Sequence, residues 1–269
     1  MSEPDVNANE DELDEAVDRI VALGKPRLHR SFPMQVLTGA VAGGEIGFGI
    51  LALLVVEEAT GSKPLGALAF AIGLLALQLG HSELFTEGFL VPVTTVAAKE
   101  GTVAQLLRLW AGTFLGNVVG GWVSLGLIVL GFPRLHAILV ENGTVYADAR
   151  LGWSSLALTL LAGAALTLMT RMHNGTDDDV AKSIATVAIA FVVAGTGVYH
   201  CVLDSLFMFG AILTGAASFG YLEWLGFVWW AVLGNMAGGI LLVTATRLVR
   251  SREHLQDKRE RADPKSPAE

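Results

Sequence analysis

A single cysteine stands among the 269 residues, with only three tyrosines and eight prolines. The lone Cys201 cannot close an intrachain disulfide or supply a cysteine cluster for a metal, so both are excluded by count. A buried cysteine of this kind is most often a small apolar filler. Charge is scarce as well: Asp, Glu, Lys and Arg make up 16% of the chain, against about a quarter in soluble domains. The net charge of −8 comes largely from one place, the acids Glu3, Asp5, Glu10, Asp11, Glu12, Asp14, Glu15 and Asp18 of the first 24 residues. It therefore carries no information about an interior. A signal peptide needs a basic start and an apolar stretch, and residues 1–24 offer neither. Nothing in the charge pattern calls for a nucleic-acid partner, and no spacing suggests a metal, a cofactor or a catalytic group. The chain does not read as an enzyme.

What is abundant is apolar surface and glycine. The hydrophobic fraction is 52%, the mean hydropathy +0.54, and there are 31 glycines. A helix crossing a bilayer needs roughly 20 mostly apolar residues. Such windows fall at about 34–57, 65–97, 104–130, 152–170, 181–215 and 225–247. Two of them, 65–97 and 181–215, are too long for one straight span, and polar residues interrupt both. Three segments per half result. Of the 18 Lys and Arg, only Lys63, Arg134 and Arg150 fall outside if the N-terminus is inside, which leaves 15 inside. That asymmetry predicts both termini to be cytoplasmic.

The halves also repeat. Leu115-Gly116-Asn117-Val118-Val119-Gly120-Gly121 reappears 118 residues later as Leu233-Gly234-Asn235-Met236-Ala237-Gly238-Gly239. The same offset carries Glu83-Leu84-Phe85-Thr86, the polar interruption of one window, onto Cys201-Val202-Leu203-Asp204 in another. An odd number of segments per half makes the repeat inverted, the signature of a transport protein with broken helices. The expected fold is an all-α integral membrane protein, six transmembrane helices as a 3+3 inverted repeat with broken second and fifth helices. An acidic arm at 1–30 precedes the transport domain at 31–250, with residues 11–23 as a short amphipathic helix. A disordered tail at 251–269 follows it. Glycines at helical spacing, such as Gly39, Gly43 and Gly47 or Gly112, Gly116 and Gly120, supply the close-packed faces that associate helices in lipid. Asn117 and Asn235 are expected to hydrogen-bond across the bundle, one per half.

Charged groups inside spans are costly and therefore informative. Glu45, Glu83, Glu87, His200 and Asp204 lie in or near the apolar windows, with His81 close by. Glu45 alone reads as a structurally paired residue, with Arg108 as its partner. The groups at 83–87 and at 200–204 fall at equivalent points of the repeat. Interrupted helices expose backbone groups that are tolerated at membrane depth only when buried in protein or lining a cavity. Those two breaks are the candidate pore. His29, His136, His173 and His254 read as solvated bystanders.

These residues resemble the formate/nitrite transporter family. Glu83-Leu84-Phe85-Thr86 is similar to the loop that interrupts its second helix. Gly116-Asn117 with Gly120, and Gly234-Asn235 with Gly238-Gly239, are similar to its third- and sixth-helix motifs. Phe191-Val192-Val193-Ala194-Gly195, followed by His200 and a polar residue four positions on, resembles its fifth helix with a central histidine. The resemblance covers about 34–250 and implies a homopentamer of aquaporin-like protomers in the inner membrane of a prokaryote, surrounded by lipid and carrying a small anion. It implies His200 as the central pore histidine, with Asp204, Thr86, Glu83 and Glu87 along the substrate pathway. Leu84 and Phe85, with Phe70 and Leu74 nearby, would form one constriction, and Val193 would contribute to the other. The implied function is a channel or proton-linked carrier for small monovalent weak-acid anions of the formate, nitrite or hydrosulfide type. A neutral acid crosses an apolar ring at far lower cost than its anion.

Four positions depart from the family pattern. Asp204 stands where asparagine is usual, Gly163 where the fourth helix has asparagine, and Glu87 where a small polar residue follows the loop motif. Ala147 replaces the vestibule lysine. These departures resemble the divergent YfdC-like branch. They also leave open a pore of the same fold for a neutral or cationic solute, because acids gather near the path. An intramembrane serine protease using Ser205 and His200 lacks the expected glycine setting, and a scaffold role would leave the histidine without a task.

Overall fold

The computed structural model describes the backbone of residues 3–262 and the side chains of 14–256 and Arg259, and every element among them is helical. Helix α1 (Glu3–His29) is longer than the expected 11–23. α2 (Phe32–Thr60) opens on Pro33 and ends where Gly61 turns left-handed at φ 65°, its N–H donating to the Glu57 carbonyl. α3 (Lys63–Ala69), capped by the Ser62 hydroxyl accepting from Leu65 N–H, runs through Phe70 into α4 (Ala71–Gly80). There the second segment breaks. His81 adopts φ 54°, and the chain resumes as a 3-10 turn at Phe85–Phe89 followed by α5 (Val91–Ala97). α6 (Val103–Gly131) starts at a Thr102/Gln105 capping box.

The second half repeats the pattern. α7 (His136–Ala147) leads into α8 (Trp153–His173). α9 (Asp179–Gly195) is capped by the Asp178 carboxylate, which accepts from Val180 and Ala181 N–H. After a break at 196–200 comes α10 (Cys201–Leu213). α11 (Tyr221–Ala237) passes through a π-type turn at Gly238–Thr244 into α12 (Ala245–Arg250). Among the described residues five helical stretches are long and apolar enough to cross a membrane: Phe32–Thr60, Lys63–Gly80, Val103–Gly131, Trp153–His173 and Tyr221–Arg250. Where the expected window 181–215 lies, α9 and α10 are each shorter than that, 17 and 13 residues. Large apolar side chains such as Phe48, Leu127, Leu130 and Leu222 remain exposed, as lipid-facing groups should.

Glycine sets the helix spacing. A Cβ on Gly43 or Gly120 would overlap the carbonyl of Asn117 or Ala40, so α2 and α6 touch backbone to backbone. In the second half a Cβ on Gly163 or Gly238 would overlap the carbonyl of Asn235 or Leu160, bringing α8 as close to α11 and the turn beyond it. Gly163 is therefore dictated by packing: no side chain fits there.

The termini depart from expectation. Where a disordered tail is expected from 251, α13 (Arg252–Ala262) forms and docks on α1. Its Leu255 is buried with Val17, Val21 and Ala98. His254 reaches Asp18 at 2.6 Å and Asp14 at 3.3 Å, and Arg259 donates to the Ala97 carbonyl. One buried leucine flanked by the His254 and Arg259 contacts docks the helix, a signal with no apolar period to read in the sequence. His254 is thus no bystander, and α1 and α13 lie together on one face of the bundle. The remaining acids of the arm, up to Glu12, and residues 263–269 lie outside the described side chains.

Candidate functional site

Each break leaves backbone groups that helix geometry cannot satisfy, and in each half one asparagine satisfies them. Asn117 Oδ1 accepts from Phe85 N–H at 2.8 Å, while its Nδ2 donates to the carbonyls of Gly39 and Glu83, both at 2.9 Å. Asn235 Oδ1 accepts from Cys201 N–H at 2.9 Å, and its Nδ2 donates to the carbonyls of Thr159 at 2.9 Å and Tyr199 at 2.8 Å. Both amides are fully buried. The pairing corrects the repeat register at the breaks. Phe85 corresponds to Cys201 and Glu83 to Tyr199, so Leu84, rather than the Ser82 that an offset of 118 gives, is the equivalent of His200.

His200 is the residue before the first turn of α10. Its Nδ1 accepts from Leu203 N–H at 3.1 Å, replacing a helical partner that this N–H lacks. That contact leaves the ring proton on Nε2, which lies 2.9 Å from Thr86 Oγ1. The imidazole is 2% exposed and Thr86 is fully buried. The two breaks thus meet at one hydrogen bond, with two of the expected residues as its partners. Phe70, Leu74, Leu84, Phe85 and Val193 are all buried in the same apolar core. The Phe85 ring is fixed by edge-on contacts to Phe89 and Phe114, with centroids 5.1 and 5.3 Å away.

The acids fall in three different settings. Glu83 accepts from Arg30 Nη1 at 2.6 Å, and Arg27 Nε lies 2.9 Å from the same oxygen as an ion pair without hydrogen-bond alignment. It is therefore compensated by α1. Its main chain meanwhile serves the Asn117 amide. Glu87 shares a cavity of about 430 Å3 with Arg27, Arg30, Glu83, His81 and His173. This cavity lies on the α1 side of the break. His173, expected to be solvated, is half-buried there and contacts Thr186 Oγ1 at 2.9 Å. Asp204 is buried, and among the described residues no well-aligned hydrogen bond reaches its carboxyl oxygens. The side chain turned toward it is the Tyr146 phenol. Among the described residues no contact joins the Asp204 carboxyl to the His200 ring. Glu45 binds the Ser82 hydroxyl, and Arg108 donates to the carbonyls of Leu28 and Arg30 instead.

Sequence reasoning missed Tyr146 and Tyr199, whose rings pack at 6.1 Å beside Phe207 and Phe227. It also missed Arg27 and Arg30 as partners of Glu83. Tyr146 lies on α7, whose 12 residues with Glu141 and Asn142 are too short and too polar for a membrane window. Arg27 and Arg30 carried only a topological signal.

Comparison with known proteins places this geometry. The model of the family described as Formate/nitrite transporter matches residues 14–249. The chain is 24% identical over 265 residues to the inner membrane protein YfdC of Escherichia coli, covering 91% of this chain and 81% of YfdC. It is 30% identical over 192 residues to the formate channel FocA of Haemophilus influenzae, covering 67% of each. A solved pentameric formate channel with formate bound superposes with a TM-score of 0.67 at 20% identity, covering 81% of this chain and 97% of that one. With the family model matching most of its length and five helices among the described residues long and apolar enough to cross a membrane, the chain belongs to the formate/nitrite transporter family and is a multi-pass membrane transport protein.

Proposed function

We propose that the protein is a homopentameric pore for small monovalent weak-acid anions of the formate, nitrite or hydrosulfide type, with one path per protomer through the two helix breaks. The observation that carries this reading is the His200–Thr86 hydrogen bond, where the breaks meet. A solute carboxylate or nitrite oxygen replacing Thr86 Oγ1 would find Nε2–H as its donor. A second proton on the ring would have to sit on Nδ1, at the expense of the Leu203 contact. His200 as held is therefore a hydrogen-bond donor, and the proton that neutralises the anion would come through water. Leu84, Phe85, Phe70, Leu74 and Val193 are assigned to the apolar constrictions that only the neutral acid passes cheaply.

The cavity lined by Arg27, Arg30, Glu83 and Glu87 is assigned as the cytoplasmic mouth. Six spans, with α9 and α10 together forming the fifth, would place both termini in the cytoplasm of a prokaryotic cell, with the protein in its inner membrane. The anionic cargo is supported by the formate channels among the relatives. The reading as a neutral- or cationic-solute pore loses Glu83, whose charge Arg27 and Arg30 offset, and rests on Glu87 and Asp204.

Stopped-flow uptake of formate and nitrite into proteoliposomes, read as swelling over a range of pH, tests the proposal. Uptake that rises with acidity and is lost in His200→Ala, and largely lost in Thr86→Val, is the expected result. Equal uptake by His200→Ala at every pH would refute it. Reversal potentials in an anion gradient would expose a cationic pore.

A further inference from the structure

The last turns of α8 and α12 and the middle of α1 line a second, open cavity of about 740 Å3, on the face that carries α1. Arg19, Arg171, Arg247 and Arg250 line it, and Glu15 is the acid among them. Arg19 is held by Asp177 at 2.8 Å. Among the described residues, the other three guanidinium groups have neither an ion pair nor a hydrogen bond, and Glu15 pairs with none of them. Arg171 and Arg250 are exposed, whereas Arg247 is 7% exposed with its Nε unpartnered, and both neighbours lie close enough to repel it.

Basic residues in a last helical turn are ordinary, because they complement the helix dipole. That accounts for Arg171 and Arg250, which are free to point into water. It does not account for Arg247, which is turned inward. Drawing three like charges together with one of them dry is unfavourable unless an anion sits between them. The guanidinium fork matches phosphate oxygens two at a time. The wall of the cavity also includes Leu168 and Met172, both partly exposed, at the ends of helices that span the membrane. An apolar wall beside arginines at the membrane–water boundary suits a headgroup with acyl chains more than a free ion.

We propose that this cavity is a binding site for the phosphate diester of an anionic membrane lipid, with Arg247 as its anchor and Arg171 and Arg250 as flanking contacts. The site is separate from the helix breaks and needs no assumption about what the pore carries.

Native mass spectrometry of the delipidated full-length protein, titrated with phosphatidylglycerol, phosphatidylcholine and inorganic phosphate, tests it. The expected result is retention of phosphatidylglycerol over phosphatidylcholine. Arg247→Gln should weaken that retention by about tenfold or more, the usual weight of one charge-assisted contact. Arg247→Lys should recover part of it. If Arg247→Gln does not fold, Arg171→Gln and Arg250→Gln, both exposed, carry the comparison, and each should weaken binding. Equal retention of the two lipids, or retention that none of these substitutions changes, would overturn the proposal. Inorganic phosphate that binds and displaces phosphatidylglycerol would overturn the lipid assignment and leave a soluble phosphate as the ligand.

Discussion

Removing the Asn235 side chain is the sharpest perturbation of this fold, because its consequences can be counted atom by atom. In Asn235→Ala, Cys201 N–H loses the acceptor at 2.9 Å and the Tyr199 carbonyl loses the donor at 2.8 Å. Neither finds a helical substitute: Cys201 opens α10, and the N–H that would normally return to Tyr199, that of Leu203, is engaged by His200 Nδ1. The Thr159 carbonyl lies inside α8 and keeps its intrahelical role. Two buried groups are therefore orphaned, at about 1–3 kcal/mol each. The unfolded chain in a membrane also finds partners, and measured interhelical bonds there average about 0.6 kcal/mol. Three such bonds give about 2 kcal/mol as a floor and the two orphaned groups about 6 kcal/mol as a ceiling, so a loss of about 2–6 kcal/mol is expected. Asn117→Ala should match it, since it orphans Phe85 N–H and the Glu83 carbonyl in the same way. Equilibrium unfolding in mixed detergent micelles measures both. Asn235→Asp keeps the acceptor but turns an anionic oxygen toward two carbonyls, so it should be no better than alanine. A loss below about 0.5 kcal/mol for either alanine variant, less than one average interhelical bond, would refute the account of the breaks.

Three further outcomes follow from single contacts. Gly163→Ala and Gly238→Ala place a Cβ on a neighbouring carbonyl and should abolish the folded assembly on gel filtration, whereas Gly44→Ala, with nothing within 4 Å, should be tolerated. Asp204→Leu replaces a buried carboxyl that no aligned hydrogen bond reaches with an apolar side chain of similar size and should raise the thermal midpoint, with a gain of about 1–3 kcal/mol. A lowered midpoint would mean that the carboxyl has a partner after all. Glu83→Gln leaves Arg27 and Arg30 without their carboxylate, so α1 should become accessible to limited proteolysis, and unchanged protection would show that α1 is held by its apolar face alone.

The repeat was legible because the two asparagines sit in near-identical glycine settings, and their equivalence survives at an offset of 118. The register of everything else drifts. Asn117 reaches back 78, 34 and 32 residues, and Asn235 reaches back 76, 36 and 34. The first helices are thus offset by 120 and the breaks by 116. Loops absorb such changes freely, so no single sliding offset could align the halves, and Thr86 was set against Asp204 rather than two residues earlier. The partners of Glu83 were hidden for a related reason. Nothing in the local pattern joins it to Arg30, 53 residues away, since an ion pair between elements has no periodicity.

The corrected register explains why only the second half presents a histidine. Leu84 and His200 occupy the same place, just ahead of the turn that restarts each broken helix. In the first half the chain restarts as a 3-10 turn, whose tighter bonding pairs Glu87 N–H with the Leu84 carbonyl, and an apolar side chain can stand there. In the second half the restart is a full α-helix, whose first turn leaves donors free, and the residue ahead of it needs a side-chain acceptor. Imidazole provides that acceptor on Nδ1 and still presents a proton on Nε2 to the opposite break. An asparagine or serine at 200 could cap α10 equally well but is too short to bridge to Thr86. The length of the histidine side chain, with one nitrogen on each side of the ring, is what lets a single residue both end one gap in the backbone and close on the other.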